Sequence, residues 1–153
     1  MPSNYQQHVD TAQVVAEQLK AVNVNAEIVL VDWDTWLSDT YVGRNFDATV
    51  IGVDAPQLTA TAFLDRFVSD AGDNFINYQN AAYDASFAKA MGTTDDAVRT
   101  VAFLECERFL TQDAANIYIQ DLPEFVALNK KYTGYQFYPI YVLDVSLIQP
   151  VEE

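Results

Sequence analysis

The alternation of helix-like segments with short apolar runs in the first sixty residues constrains the fold of this chain most. HVDTAQVVAEQLKAV, residues 8–22, carries apolar residues at helical spacing. Residues 28–31 then contain no polar side chain, which indicates a strand covered on both faces. A short helix that Gly43 ends separates this run from a second buried strand, FDATVIGV at residues 46–53. The series of helix, strand, helix and strand predicts an α/β fold with a mixed sheet flanked by helices.

The rest of the chain predicts three more helices followed by β-like segments. TATAFLDRFV is expected to be a short helix, and longer helices are expected over residues 80–91 and 95–111, the second with an acidic first turn. His8 or Asp10 is expected to cap the first helix. NFINY is expected to be extended, and β-like composition marks IYIQDL, EFVALN and YPIYVLDVSLI. Because no linker or repeat interrupts the pattern, residues 1–153 are predicted to form a single domain.

Charge and cysteine content exclude several classes of partner. Eight Lys and Arg residues face 22 Asp and Glu residues, which gives a net charge of -14 and disfavours nucleic acids and anionic lipids. Cationic or zwitterionic partners are favoured, although such a surface can also serve solubility alone. Cys106 is the single cysteine and is expected to be a small residue in the core or at its boundary. No apolar run reaches the length of a bilayer, and the opening MPSNYQQH does not resemble a signal peptide.

The sequence carries no pattern typical of an enzyme, a metal site or a cofactor site. Asp32 and Asp34 are better explained as helix-start residues than as a catalytic pair, because alternating strand positions face opposite ways. One histidine and one cysteine give no ligand spacing for a metal, and the isolated glycines form no nucleotide-binding loop. We therefore expect no enzymatic activity, no metal and no cofactor. A small hydrolase using Asp32, Asp34 or Asp54 ranks last among the hypotheses.

Trp33 and Asp54 are the stronger candidates for a binding site. Each is predicted to follow a strand, and in open α/β sheets ligands bind at the carboxyl ends of the strands. Trp33 and Trp36 are three residues apart at a helix start, so they can share a face. Asp54 before Ala-Pro is equally well explained as a turn-forming residue.

The order of segments along the chain resembles the second lobe of the family 5 solute-binding proteins. These are extracytoplasmic receptors of ABC importers for oligopeptides, dipeptides and nickel. The resemblance runs through SNYQQHVDTAQVVAEQLKAVNVNAEIVLVDWDTWL, GRNFDATVIGVDAP, TAFLDRFVS, NFINYQNAAYDASFAKA, DDAVRTVAFLECERFLTQDAANIYIQD and GYQFYPIYVLDVSLI. It implies a type II periplasmic-binding-protein-like lobe that captures peptides or a similar small solute, with sugars and nickel complexes as alternatives.

The resemblance also implies partners and site residues. The large N-terminal lobe would lie outside this chain, and residues 129–153 would form a tail that returns to that lobe. The permease of the importer would be a further partner, and the parent protein would be extracytoplasmic. Asp54 would be the nearest candidate to pair with a peptide ammonium group, although an ungapped match places Pro56 there. The implied ligand-binding residues are His8, Trp33, Asp54, Gln57 and Asn4.

The apolar tail at residues 129–153 leaves a second hypothesis open. If the tail normally pairs with an absent lobe, its apolar surface would be exposed in the isolated lobe. The lobe would then act mainly as a protein-interaction domain that forms a homo-oligomer by exchanging this tail.

Overall fold

The computed structural model describes residues 1–54, 57, 59–120, 125–138 and 143–151. The predicted helices are confirmed, and their bounds are α1 Gln6–Ala21, α2 Trp33–Thr35 continued by a π-helical segment Trp36–Val42, α3 Ala60–Leu64 continued by a 3₁₀ turn Asp65–Phe67, α4 Ala81–Met91 and α5 Asp96–Gln112. Among the described helices, none is long and apolar enough to cross a membrane.

Side-chain caps explain where α4 and α5 begin. The Asn80 side chain accepts hydrogen bonds from the backbone N–H groups of Ala82 and Tyr83. The Asp95 side chain does the same at α5, which confirms the predicted start signal. The predicted cap of α1 is wrong, because Tyr5 occupies that position and makes no side-chain cap, while His8 and Asp10 lie inside the helix.

The best-packed part of the molecule lies between α3, α4 and α5. Tyr83 and Cys106 are fully buried, and Leu64, Tyr78 and Leu110 complete the cluster. Cys106 is therefore a core residue, as predicted, and burial raises the pKa of its thiol to about 11. The Tyr83 hydroxyl donates to the carbonyl of Leu64 at 2.5 Å, which ties α3 to α4.

The predicted strands are mostly not formed within the described residues. Residues 28–31 contribute only an isolated parallel bridge between Val31 and Pro2, and residues 46–53 contain no strand. The reason is that a strand needs a hydrogen-bonded neighbour, which local sequence does not supply. The NFINY segment, residues 74–78, is also not extended over its first part, because a turn closed by the hydrogen bond from the Asn77 N–H to the Asn74 carbonyl occupies it.

The C-terminal β-like segments form little regular structure either. Described residues 117–120 and 125–128 contain no strand, whereas residues 121–124 and 139–142 lie outside the description. The described strands are β1 Tyr132–Thr133 and β2 Gln149–Pro150, which pair antiparallel. The described part of the predicted tail therefore pairs with itself at these two points.

Candidate functional site

Three aromatic rings meet where α1 and α2 begin. The Tyr5 ring lies edge-on to Trp33 with centroids 5.8 Å apart, and 5.1 Å from the ring of His8. Tyr5 immediately precedes α1, and Trp33 is the first residue of α2. The structure thus brings two predicted site residues, His8 and Trp33, next to the same tyrosine. We call Tyr5, His8 and Trp33 the aromatic face.

Of the two tryptophans, Trp36 is buried and Trp33 lies at the surface. Their rings stack with centroids 5.1 Å apart, but Trp36 is 3% exposed and Trp33 is 36% exposed. The indole N–H of Trp36 donates to the Thr49 hydroxyl at 3.1 Å. Trp36 is therefore buried among other side chains, as predicted. Trp33 offers a rigid apolar surface with a buried ring behind it, which suits a ligand wall.

Two further aromatic rings, those of Tyr41 and Phe75, pack near Trp36. The centroid of the Phe75 ring lies 6.1 Å from the ring centroid of Trp36 and 5.2 Å from that of Tyr41. Tyr41 is in the π-helical segment, a rare conformation that often marks functional sites. The aromatic face is therefore continuous with a packed cluster, so the orientation of Trp33 is fixed by more than its own rotamer.

Asp32 acts as the cap of α2. Its carboxylate accepts from the Thr35 backbone N–H at 2.9 Å and from the Thr35 hydroxyl at 2.8 Å. The hydrogen bond from the Thr35 backbone N–H has the larger effect and that from the hydroxyl the second largest, and both lower the pKa of Asp32 below its ordinary value. Because both carboxylate oxygens are engaged, the helix-cap interpretation is confirmed and the Asp32–Asp34 catalytic pair gains no support.

His8 lies against the segment that precedes Asp54. A Cβ atom placed on Gly52 would lie 3.6 Å from His8 Nε2, so the backbone there runs close past the imidazole. His8 Nδ1 is buried and has no hydrogen-bond partner among the described residues. Burial lowers the pKa of His8 below its ordinary value. The imidazole is therefore neutral at pH 7 and has hydrogen-bonding capacity to spare.

The remaining predicted site residues are exposed. The carbonyl of Asp54 accepts a hydrogen bond from Arg66 Nη2 at 3.0 Å, and the same nitrogen donates to the carbonyl of Ala62 at 3.3 Å. Arg66 thus fixes the backbone at Asp54, and Asp54 itself remains exposed to solvent. Asn4 and Gln57 are also exposed, whereas Pro56 lies outside the described residues. The structure therefore joins His8 and Trp33 through Tyr5 but shows no shared contact for Asp54, Gln57 and Asn4.

Sequence reasoning missed Tyr5. The available signal was its position next to the helix start, four residues after Met1 and three before His8. Within the described ranges, no group of three or more His, Cys, Asp or Glu side chains could hold a metal ion. What the aromatic face can do is bind, through apolar contact and a few polar groups.

Comparisons with known proteins find similarity to periplasmic binding proteins. It is 31% identical over 96 residues to the periplasmic oligopeptide-binding protein OppA of Escherichia coli K12, a match that covers 63% of this chain and 18% of OppA. It is 29% identical over 134 residues to the probable deoxycholate-binding periplasmic protein YgiS of the same organism, covering 86% of this chain and 24% of YgiS. The chain therefore spans about a fifth of the length of these relatives. No family model matches it.

Solved structures agree with this relationship. OppA of Haemophilus influenzae in complex with RPPGFSPFR has a TM-score of 0.67 and 26% identity, over 72% of this chain and 22% of that one. The peptide-binding protein of a peptide ABC transporter has a TM-score of 0.64 and 25% identity, over 75% of this chain and 53% of that one. The unliganded open form of the murein tripeptide-binding protein MppA has a TM-score of 0.65 at 24% identity, over 74% of this chain and 22% of that one, which shows the fold alone.

These proteins share the predicted type II periplasmic-binding-protein-like fold, so the predicted fold class is confirmed although few strands are formed here. The relatives are binding proteins, and they give no support to the alternative of self-association through the tail. The relatives and the similar solved structures are family 5 solute-binding proteins, and the partial coverage of them by this chain fits a fragment that is one lobe.

Proposed function

We propose that this chain is one ligand-binding lobe of an extracytoplasmic ABC-importer receptor that captures a peptide in a cleft between two lobes. The observation that carries the proposal is the aromatic face in a chain whose relatives include peptide-binding proteins. Residues 1–153 would form the lobe, with residues 129–153 as the tail that reaches the other lobe. The protein would bind and release its ligand without chemical change.

The aromatic face supplies the apolar part of this proposed site. Trp33 and Tyr5 present flat, rigid surfaces, which bury ligand area at little cost in side-chain entropy. The neutral imidazole of His8 adds a hydrogen-bonding group at the edge of the face. Such a surface covers one side of a ligand, so a second lobe is needed to enclose it. We therefore expect this chain alone to bind weakly.

Asp54 would supply the charged part of the site. Its exposed carboxylate could pair with a peptide ammonium group, and charge-assisted hydrogen bonds are among the strong ones. Asn4 and Gln57 would contribute exposed amide groups at the rim of the cleft. The net charge of -14 also favours the approach of cationic and zwitterionic solutes.

Calorimetric titration of the full-length protein that carries this chain tests the proposal. Separate titrations would use a mixed peptide pool, a panel of sugars and chelated nickel. We expect saturable binding of peptides, and about a tenfold to hundredfold weaker binding in Asp54→Asn through loss of a charged hydrogen bond. Asp47→Asn, at an exposed acid on the same segment, is the matched control and should bind normally. Binding of sugars or nickel complexes without binding of peptides would overturn the assignment to peptides. Binding of none of these ligands would overturn the proposal that the protein is a receptor.

A further inference from the structure

The Arg44 side chain joins two segments that lie far apart in the sequence. Its guanidinium Nη1 donates a hydrogen bond to the side-chain carbonyl of Asn77 at 2.6 Å, across 33 positions of the chain. Arg44 comes just after the π-helical segment Trp36–Val42 and Gly43. Asn77 lies in the segment that leads into α4. The hydrogen bond therefore fastens the end of the π-helical segment to the part of the chain where the packed helices begin.

Both partners of this hydrogen bond have an unusual backbone conformation. Arg44 has a φ of 55° and Asn77 has a φ of 57°, which places both in the left-handed region. Asparagine enters this region readily, whereas the Cβ atom of an arginine there is crowded against the following carbonyl. Such conformations persist only where the surrounding structure holds them, and they are common at functional sites. The backbone at Arg44 is therefore held against its own preference, and the contact with Asn77 is one interaction that offsets this cost.

The turn that carries Asn77 is attached to the packed core. Asn74 is 3% exposed, and its side chain accepts from the Tyr78 N–H at 3.1 Å and donates to the Tyr78 carbonyl at 2.8 Å. Tyr78 belongs to the core cluster, and its hydroxyl donates to the Asp113 carboxylate at 2.7 Å. Asn77 lies between these two buried residues in the sequence. Arg44 therefore reaches an acceptor whose backbone is fixed on both sides.

Aromatic contacts connect this hydrogen bond to the two tryptophans. The phenylalanines that flank it in the sequence are Phe46 and Phe75, and the centroids of their rings lie 6.0 Å apart. The Phe75 ring lies edge-on to Trp36, with centroids 6.1 Å apart, and Trp36 stacks on Trp33. The hydrogen bond therefore lies at one end of a continuous set of contacts that reaches the surface ring of Trp33.

We propose that the hydrogen bond between Arg44 and Asn77 is a positioning contact for the aromatic face. It holds Phe75 against Trp36, and Trp36 in turn fixes the ring of Trp33 before a ligand arrives. The inference rests on the proposed function, in which Trp33 forms part of the wall of the ligand site. A wall that is already fixed loses less freedom on binding, so the contact raises affinity without touching the ligand.

Substitution by glycine separates the hydrogen bond from the backbone conformation. Arg44 and Asn77 are both exposed, so their side chains can be removed without opening a cavity. Arg44→Gly and Asn77→Gly each remove one partner, and glycine adopts a positive φ without strain. Arg44→Lys keeps a donor and Asn77→Asp keeps an acceptor. Asn23→Gly is the matched control, because Asn23 is exposed and has a φ of 63° just after α1.

Fluorine NMR of the ligand-free full-length protein, labelled with fluorotryptophan, gives the first readout. Trp33→Phe and Trp36→Phe variants assign the two resonances. We expect Arg44→Gly, Asn77→Gly and the double variant to shift the Trp36 resonance equally, because all three lack the same hydrogen bond. Arg44→Lys and Asn77→Asp should keep the resonance near its original position, and Asn23→Gly should leave it unchanged.

Calorimetric titration of the same variants with the peptide pool gives the second readout. We expect Arg44→Gly to bind peptides about threefold to tenfold more weakly, the effect of losing one hydrogen bond outside the ligand contact. Asn23→Gly should bind them normally. Because the NMR readout uses no ligand, shifted tryptophan resonances in a protein that binds no peptide would overturn the proposed function and leave the positioning of the rings standing.

Three results would overturn the proposal. Unchanged tryptophan resonances in both glycine variants would show that the hydrogen bond does not position the rings, even if chemical denaturation recorded a loss of stability. Shifts that add in the double variant would show that Arg44 and Asn77 act independently of each other. A shifted Trp36 resonance with unchanged peptide affinity would show that the position of the rings does not affect binding.

Discussion

The helical region, residues 60–115, and the aromatic region, residues 1–54, bury their apolar side chains in different ways. In the helical region Tyr83 and Cys106 are completely buried between packed helices. In the aromatic region Trp36 is buried, but Val29 and Leu30 remain 61% and 48% exposed. Helices satisfy their own backbone hydrogen bonds, whereas strands need a neighbour. The helical region therefore buries its apolar side chains within itself, whereas the aromatic region leaves part of its apolar surface exposed.

Truncation of a side chain in each region should give the largest contrast. Leu110 is 1% exposed in the helical core, and Val29 is largely exposed in the aromatic region. We expect Leu110→Ala to lower the free energy of unfolding by about 2–5 kcal/mol, because it leaves a cavity. Val29→Ala should cost about 0.5 kcal/mol or less in this chain. Chemical denaturation measures both, and equal losses would show that the two regions are equally packed.

Removal of the hydroxyl group from a buried and from an exposed tyrosine should give a smaller difference in the free energy of unfolding. Tyr83→Phe deletes the donor to the Leu64 carbonyl and leaves that acceptor unsatisfied in the core. We expect a loss of about 1–3 kcal/mol in the free energy of unfolding. Tyr118→Phe is the matched control, because Tyr118 is 66% exposed and its hydroxyl can bond to water. An equally stable Tyr83→Phe protein would mean that the hydrogen bond contributes nothing to the helical region.

The titration of His8, a residue of the aromatic region, should have the smallest effect on stability. Burial lowers the pKa of His8 in the folded chain, so the unfolded chain binds more protons just below the ordinary histidine pKa. The His8 contribution to stability is therefore complete above that ordinary pKa and decreases as pH falls through it toward the folded-state pKa. His8→Gln should flatten this part of the profile of stability against pH. An unchanged profile would contradict the burial of the imidazole.

The features predictable from sequence were those that depend on local residues. Asp32 and Asp95 start helices because their side chains reach backbone N–H groups two or three residues ahead. Cys106 was placed in the core by its apolar neighbours on α5. The strands at residues 28–31 and 46–53 were not formed as predicted, because pairing depends on residues distant in sequence.

The candidate site was predictable only in part for the same reason. Trp33 and His8 were singled out, but the ring that joins them, Tyr5, was not. Its contacts arise from the parallel pairing of residues 1–3 with residues 29–31, which brings the starts of α1 and α2 together. No local pattern in SNYQQH indicates that distant strand contact.

The most direct test of the account is fluorine NMR of the full-length protein labelled with fluorotryptophan and titrated with the peptide pool. Trp33→Phe and Trp36→Phe variants assign the two resonances. The account predicts a saturable shift of the exposed Trp33 resonance, and a much smaller shift of the buried Trp36 resonance. A Trp33 resonance that stays unchanged while calorimetry records peptide binding would contradict the claim that Trp33 faces the ligand.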